Sequence, residues 1–94
     1  MKTEYRMSLC RGRHEIPDAI DGAVFPMEVD PLDTKGLEEV AFQKLRGVKA
    51  LTLYVTGLTV ALVAVINVCR ASGISLTLMH YDRSSGGYYP QEVK

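Results

Sequence analysis

Alternating apolar and polar positions mark the strands that we predict in this chain. Over residues 3–10, Tyr5, Met7 and Leu9 alternate with polar side chains, which is the pattern of a half-exposed strand. The proline- and aspartate-rich residues 15–33 are predicted to be mostly loop. Further strands are predicted at residues 23–25, 49–55, 74–81 and 88–93.

Two segments have the periodicity of a helix. Residues 37–45 place apolar side chains on one face, with Asp33 or Thr34 as candidate N-cap and Gly47 after the end. Residues 58–71 form a more apolar helix, which Ser72 and Gly73 are expected to close.

The order of these elements predicts the fold class. Residues 49–81 read as strand, helix and strand with short connections, the pattern of a right-handed parallel crossover. The final strand returns through the turn at residues 82–87 as an antiparallel edge, where Pro90 is tolerated. We therefore predict one α/β domain over residues 1–94, with a small open mixed sheet, a C-terminal β-hairpin and about two helices. Residues 1–35 supply an N-terminal strand and a loop-rich segment, and residues 36–94 the core.

The long apolar run at residues 50–69 allows a second interpretation, because about 20 apolar residues can span a bilayer. Gly57 and its flanking threonines interrupt the run, and alternation before Gly57 favours a strand. The N-terminus is basic but lacks the apolar core of an export signal. We expect no membrane association and a cytoplasmic location.

Composition excludes several classes of protein. The 94 residues include 11 basic and 11 acidic side chains, so net charge favours neither a duplex-DNA partner nor a polybasic membrane anchor. Cys10 and Cys69 lie in or beside apolar stretches without metal-site spacing, as expected of reduced thiols. Motifs of dinucleotide-binding, ATP-hydrolysing and serine-hydrolase enzymes are absent from the sequence.

The break in the apolar run is the first candidate site. Thr56, Gly57, Leu58 and Thr59 connect the predicted strand to the predicted helix. The first N–H groups of a helix lack partners and the helix dipole favours negative charge there, so a phosphate could bind once Gly57 lets it approach. The alternative is an ordinary tight turn with a threonine N-cap.

A second polar group follows the next strand. His80, Tyr81, Asp82 and Arg83 offer an imidazole, a phenol, a carboxylate and a guanidinium. Because the carboxyl ends of neighbouring parallel strands share one edge of a sheet, we expect this group beside the Gly57 turn. Only one of His80 and Tyr81 can face the helix side. Asp82 could instead do no more than start the turn.

A third group, Arg11, Arg13 and His14, follows the first strand, with Gly12 giving the loop freedom to fold over a ligand. The arginines would complete an anion site if the first strand runs in the same direction as residues 49–55, which the sequence leaves open. A solvated basic turn is the alternative. His14, His80 and Asp82 are too dispersed to predict a metal, and no cofactor is expected.

The C-terminal half has a familiar layout. An apolar strand, Thr56-Gly57-Leu58, an apolar helix, an apolar strand ending in Tyr81-Asp82-Arg83, then Gly86 and a closing strand resemble the small Rossmann-like proteins of type III CRISPR systems, an antiviral defence, that bind or cleave cyclic oligoadenylates. The resemblance covers residues 48–93. It implies a homodimer whose two-fold axis carries a symmetric cyclic ligand, and metal-independent ring nuclease chemistry in which a ribose 2′-hydroxyl attacks the adjacent phosphate.

Two functional hypotheses follow. In the first, the chain binds a small phosphate-bearing nucleotide, which the resemblance implies is a cyclic oligoadenylate, with or without cleaving it. Catalysis would use His80, Asp82 and Arg83, and ligand binding would use Thr56, Gly57, Leu58, Thr59, Arg11, Arg13 and Tyr81. Some relatives carry a histidine in the crossover helix, which this helix lacks. In the second, the same fold is a non-catalytic binding or interaction module, acting as a sensor, inhibitor or accessory subunit.

Overall fold

The computed structural model describes residues 2–12 and 15–93 of the chain. It contains one five-stranded sheet in the order β2-β1-β3-β4-β5, with parallel pairing throughout except for the antiparallel β4–β5 hairpin. The predicted α/β fold with its mixed sheet, parallel crossover and C-terminal hairpin is confirmed. The elements are β1 (Glu4–Cys10), β2 (Ala23–Phe25), α1 (Thr34–Lys44), β3 (Ala50–Tyr54), α2 (Thr59–Ser72), β4 (Ser75–Asp82) and β5 (Gly87–Val93).

Both helices lie on one face of the sheet. The crossovers β2-α1-β3 and β3-α2-β4 advance across the sheet in the same direction, and crossovers of one hand then fall on the same face. Accordingly α1 packs against α2. The apolar run at residues 50–69 is divided between β3 and α2. Within the described residues, neither helix has the length and apolar character needed to cross a bilayer.

Alternation along the strands separates a helix-covered face from a helix-free face. Met7 and Leu9 of β1 are buried against the helices together with their counterparts on the neighbouring strands. These counterparts are Leu51, Leu53, Leu76 and Leu78. The residues between them, such as Ser8 and Thr52, point to the helix-free face because successive side chains of a strand alternate.

Parallel pairing of β1 with β3 decides which loops share an edge. Met7 pairs with Leu53 and Ser8 with Tyr54, so both strands deliver their carboxyl ends to the same edge. From there the chain leaves β1 toward β2 and leaves β3 toward β4, in opposite directions along the sheet. Such a reversal between neighbouring parallel strands opens a crevice at their carboxyl ends.

The two helices begin differently. At α1, the Asp33 carboxylate accepts a hydrogen bond from the Gly36 N–H (3.0 Å), which selects Asp33 from the two predicted caps. A Cβ added at Gly36 would lie 2.1 Å from Asp33 Oδ2. Gly36 therefore makes room for the cap of α1 at the expense of helix propensity. At the end of α2, Gly73 adopts φ 69°, as predicted for its closing residue.

The cap and the glycine are expected to be thermodynamically coupled. Gly36→Ala should give no gain in the wild-type chain, because its methyl group displaces the Asp33 carboxylate. In an Asp33→Ala background the same change should stabilise by about 1 kcal/mol, the helix-propensity difference. Urea unfolding of the wild type, the two single variants and the double variant measures the coupling free energy between Asp33 and Gly36. Equal effects of Gly36→Ala in both backgrounds would contradict the coupling.

Candidate functional site

A crevice lies where the sheet order reverses. It is a depression open to solvent with a volume of about 680 Å³, lined by the last residue of β1 and by residues that follow β1, β2 and β3. We call this cavity the edge crevice. Its size falls within the range of small-ligand sites. The lining residues are Cys10, Arg11, Gly12, Met27, Glu28, Val29, Thr56, Gly57 and Leu58.

The start of α2 at the edge crevice has no acidic cap of its own. Leu58 occupies the N-cap position with φ −98° and ψ 103°, and its apolar side chain cannot accept the N–H bonds that Asp33 accepts at α1. The first turn of α2 also contains no acidic residue. The alternative prediction, that a threonine is the N-cap of α2, is therefore wrong. The N-terminal amides of α2, at the positive end of the helix dipole, therefore have no side-chain acceptor and could bind an anion.

Gly57 is exposed and its backbone does not require glycine. Its φ lies outside the left-handed region, and an added Cβ would meet no atom of the described chain within 4 Å. Gly47, Gly73 and Gly86, in contrast, have φ of 81°, 69° and 73°. Internal packing therefore does not explain why glycine occupies position 57.

Thr56 joins the two strands that form the edge crevice. Its Oγ1 accepts a hydrogen bond from the Cys10 backbone N–H at 3.3 Å. On the other side of β3, the Val55 N–H donates to the Met79 carbonyl at 3.0 Å. The carboxyl end of β3 is thus held from both neighbours, which fixes the position of Gly57 relative to Arg11.

Arg11 lies at the same edge of the sheet as Gly57, because β1 and β3 run in the same direction. This was the condition for a shared anion site. It is exposed and lines the edge crevice, while its backbone N–H donates to the Phe25 carbonyl at 3.0 Å. Arg13 and His14 lie outside the described residues. Thr59 is the exposed first residue of α2 and is not among the residues that line the crevice.

His80 and Tyr81 lie on opposite faces of the sheet. His80 shares the helix-covered face with Leu78, and its Nε2 lies 2.8 Å from Gln91 Oε1 while its ring packs on Tyr89 at 5.3 Å. Tyr81 points to the helix-free face, 54% exposed, with its ring 5.4 Å from that of Tyr88.

Asp82 ends β4, and Arg83 is the first residue of the hairpin turn. The Asp82 carboxylate accepts from the Ser84 N–H at 3.1 Å, and the Asp82 carbonyl accepts from the Gly86 N–H at 2.8 Å. Asp82 lies three residues past Met79, the partner of Tyr54, so it stands roughly 10 Å beyond the end of β3. None of residues 80–83 lines the edge crevice. Among the described residues no three His, Cys, Asp or Glu side chains are grouped to hold a metal ion.

The sequence did not indicate that Met27, Glu28 and Val29 would line the edge crevice. They follow β2, whose place beside β1 decides their position, and no local motif marks them. Glu28 and Arg11 both line the crevice, so its lining contains one acidic and one basic residue. Such a pair can bind a ligand with a phosphate at one end and hydroxyl or amino donors at the other.

A buried tyrosine supports the helix-free face beside the crevice. Tyr54 is 1% exposed, and its hydroxyl accepts a 2.5 Å hydrogen bond from the Arg6 guanidinium, which raises the pKa of Arg6. The Tyr88 ring meets the Tyr54 ring edge-on at 5.0 Å, and burial raises the pKa of Tyr88. Tyr54 thus links β1, β3 and β5 next to the Thr56 turn.

Comparison of the chain with models of protein families, with curated proteins and with solved structures yields no match. The edge crevice must therefore be interpreted from its own residues.

Removing the Thr56 hydroxyl should weaken the bond between β1 and β3. Thr56→Val leaves the Cys10 N–H without its acceptor, so we expect a loss of about 1 kcal/mol in unfolding free energy. Hydrogen exchange of the Cys10 amide should accelerate as well. Thr52→Val, within β3, is the control and should change stability by less than about 0.5 kcal/mol. Unaltered exchange at Cys10 would exclude this role of Thr56.

Alanine should be tolerated at Gly57 and not at Gly73. Gly57→Ala is expected to change the unfolding free energy by less than about 0.5 kcal/mol, since nothing contacts the added methyl group. Gly73→Ala should cost about 1 kcal/mol, because a left-handed backbone disfavours a Cβ. Parallel urea titrations compare the two variants. A loss at Gly57 equal to that at Gly73 would mean that Gly57 serves the turn.

Proposed function

We propose that the chain binds a small phosphate-bearing nucleotide in the edge crevice. The observation that carries the proposal is the meeting of three features in one cavity: the uncapped start of α2, the exposed Gly57 and the Arg11 guanidinium. The amides at the start of α2 would donate to phosphate oxygens, and Arg11 would add a charge-assisted bond. Glu28 would accept a hydrogen bond from a ribose hydroxyl.

The particular ligand that we propose is a cyclic oligoadenylate. Support comes from the resemblance of residues 48–93 to the small proteins of type III CRISPR systems described above. A homodimer follows from the same resemblance, because a cyclic ligand of repeated units is matched by two copies of one site around a two-fold axis. Thr59 and Tyr81 would contact the parts of such a ligand that extend past the crevice.

Binding without cleavage is the second candidate, and the hairpin geometry favours it. His80 is engaged with Gln91 and Tyr89, and Asp82 with the Ser84 amide, away from the crevice lining. A ring nuclease would need His80, Asp82 or Arg83 to reach the ribose or the phosphate. Retention of intact ligand would identify a sensor, inhibitor or accessory module. Linear products would identify a ring nuclease.

Substitutions in the edge crevice should abolish or weaken ligand binding while the chain stays folded. With cyclic tetra-adenylate as the probe in calorimetry, Gly57→Val should lower affinity at least ~10-fold, because its side chain occupies the anion's space. Arg11→Ala should lower affinity ~10- to 100-fold through loss of a charged hydrogen bond. Binding should also weaken as ionic strength rises.

The matched control is Arg46→Ala. Arg46 follows α1, and its guanidinium donates to Gln43 at the other edge of the sheet, so the affinity should not change. Chromatography of the same mixtures reports cleavage. If the wild-type chain retains neither cyclic tetra-adenylate nor inorganic phosphate, the edge crevice is not a phosphate site. Unchanged affinity in Gly57→Val would move the site elsewhere.

A further inference from the structure

A second cavity adjoins the edge crevice on the helix-free face of β1. This cavity encloses about 550 Å³ and shares Cys10, Arg11, Gly12 and Thr56 with the edge crevice. We call it the side groove. It lies between residues 15–22 and the helix-free face of β1 and β2. The residues that it adds to the shared four include Ser8, Glu15, Ile16, Pro17, Ala19 and Ala23.

The two walls of the side groove are chemically different. Ser8 and Ala23 pair across β1 and β2 and form a floor of small side chains. Ile16, Pro17 and Ala19 form an apolar roof. Glu15 places a carboxylate at the groove, so the site combines apolar walls with one strong acceptor.

The roof is held in place by hydrogen bonds to β1. The Asp21 carboxylate accepts from the Arg6 N–H at 2.8 Å and pairs with Lys2, while the Asp21 N–H donates to the Arg6 carbonyl at 2.9 Å. The bond from Lys2 and the bond from the Arg6 N–H to the carboxylate lower the pKa of Asp21. A turn closed by the Ala19 N–H and the Ile16 carbonyl (2.9 Å) shapes the roof itself. The side groove is therefore formed before any ligand arrives, which reduces the entropy cost of binding.

We propose that the side groove is the base subsite for the nucleotide whose phosphate lies in the edge crevice. The inference rests on the proposed function and adds the place and chemistry of the base. With a phosphate at Arg11 and the start of α2, the shared residues lead the sugar toward the side groove. A planar base then lies between the apolar roof and the small floor, and its exocyclic amino group donates to Glu15. The subsite therefore suits a base with an exocyclic amino group, such as adenine.

Two ligands that differ only by the base test this subsite. AMP and ribose 5-phosphate carry the same phosphate and sugar, and NMR titration measures both affinities. AMP should bind about tenfold or more tightly, the gain expected from burying one apolar ring. Ala19→Trp from the roof and Ser8→Phe from the floor should each reduce AMP binding to the level of ribose 5-phosphate and leave ribose 5-phosphate binding unchanged. Thr77→Phe, on the helix-free face of β4, is the control.

The outcomes separate the base subsite from the phosphate site. Equal affinities for AMP and ribose 5-phosphate would overturn the base subsite and leave the proposed function standing. Binding of neither ligand would overturn both. Full AMP affinity in folded Ala19→Trp and Ser8→Phe would also overturn the base subsite, since two bulky side chains from opposite walls cannot both avoid the groove.

Discussion

The candidate site exists because β1 pairs in parallel with β3. This pairing brings the loop after β1 and the turn after β3 to one edge, and the bond from the Cys10 N–H to Thr56 Oγ1 holds them together there. If β1 ran antiparallel, Arg11 would leave the sheet at the opposite edge from Gly57. The edge crevice would then have no basic group, and the start of α2 would face solvent alone.

Residues 15–22 cover part of the helix-free face of the sheet. Parallel strands are usually covered on both faces, yet both helices of this chain lie on one. Residues 15–22, which contain no helix, precede β2 and lie against the helix-free face. Because a loop covers less of the face than a helix would, a cavity remains beneath it. Tyr54 is buried on that same face through Arg6 and Tyr88.

The distribution of polar groups favours recognition at the edge crevice over chemistry at the hairpin. Arg11 and Glu28 face the crevice, whereas His80 and Asp82 already have partners in β5 and in the hairpin turn. Both thiols are poor nucleophiles, because burial raises the pKa of Cys10 and raises that of Cys69 to about 11. The crevice thus offers a ligand hydrogen-bond donors, an acceptor and the dipole of α2.

Local patterns in the sequence were sufficient to predict which segments form the strands and the two helices, although α1 begins at Thr34, three residues before its predicted start. Alternation and period are local properties, as is the ability of Asp33 to cap α1 and of Gly73 to adopt a left-handed backbone. The Gly57 turn and the tendency of Asp82 to start a turn are local as well. Long-range packing, in contrast, set the direction of β1 relative to β3 and turned His80, not Tyr81, toward the helices. It also brought Met27 and Glu28 to the edge crevice and residues 15–22 to the side groove. Strand direction could not be predicted because an alternating pattern is the same for a parallel and an antiparallel strand. Loop positions could not be predicted because a loop has no periodic pattern and is held only by the long-range hydrogen bonds and packing of the folded chain.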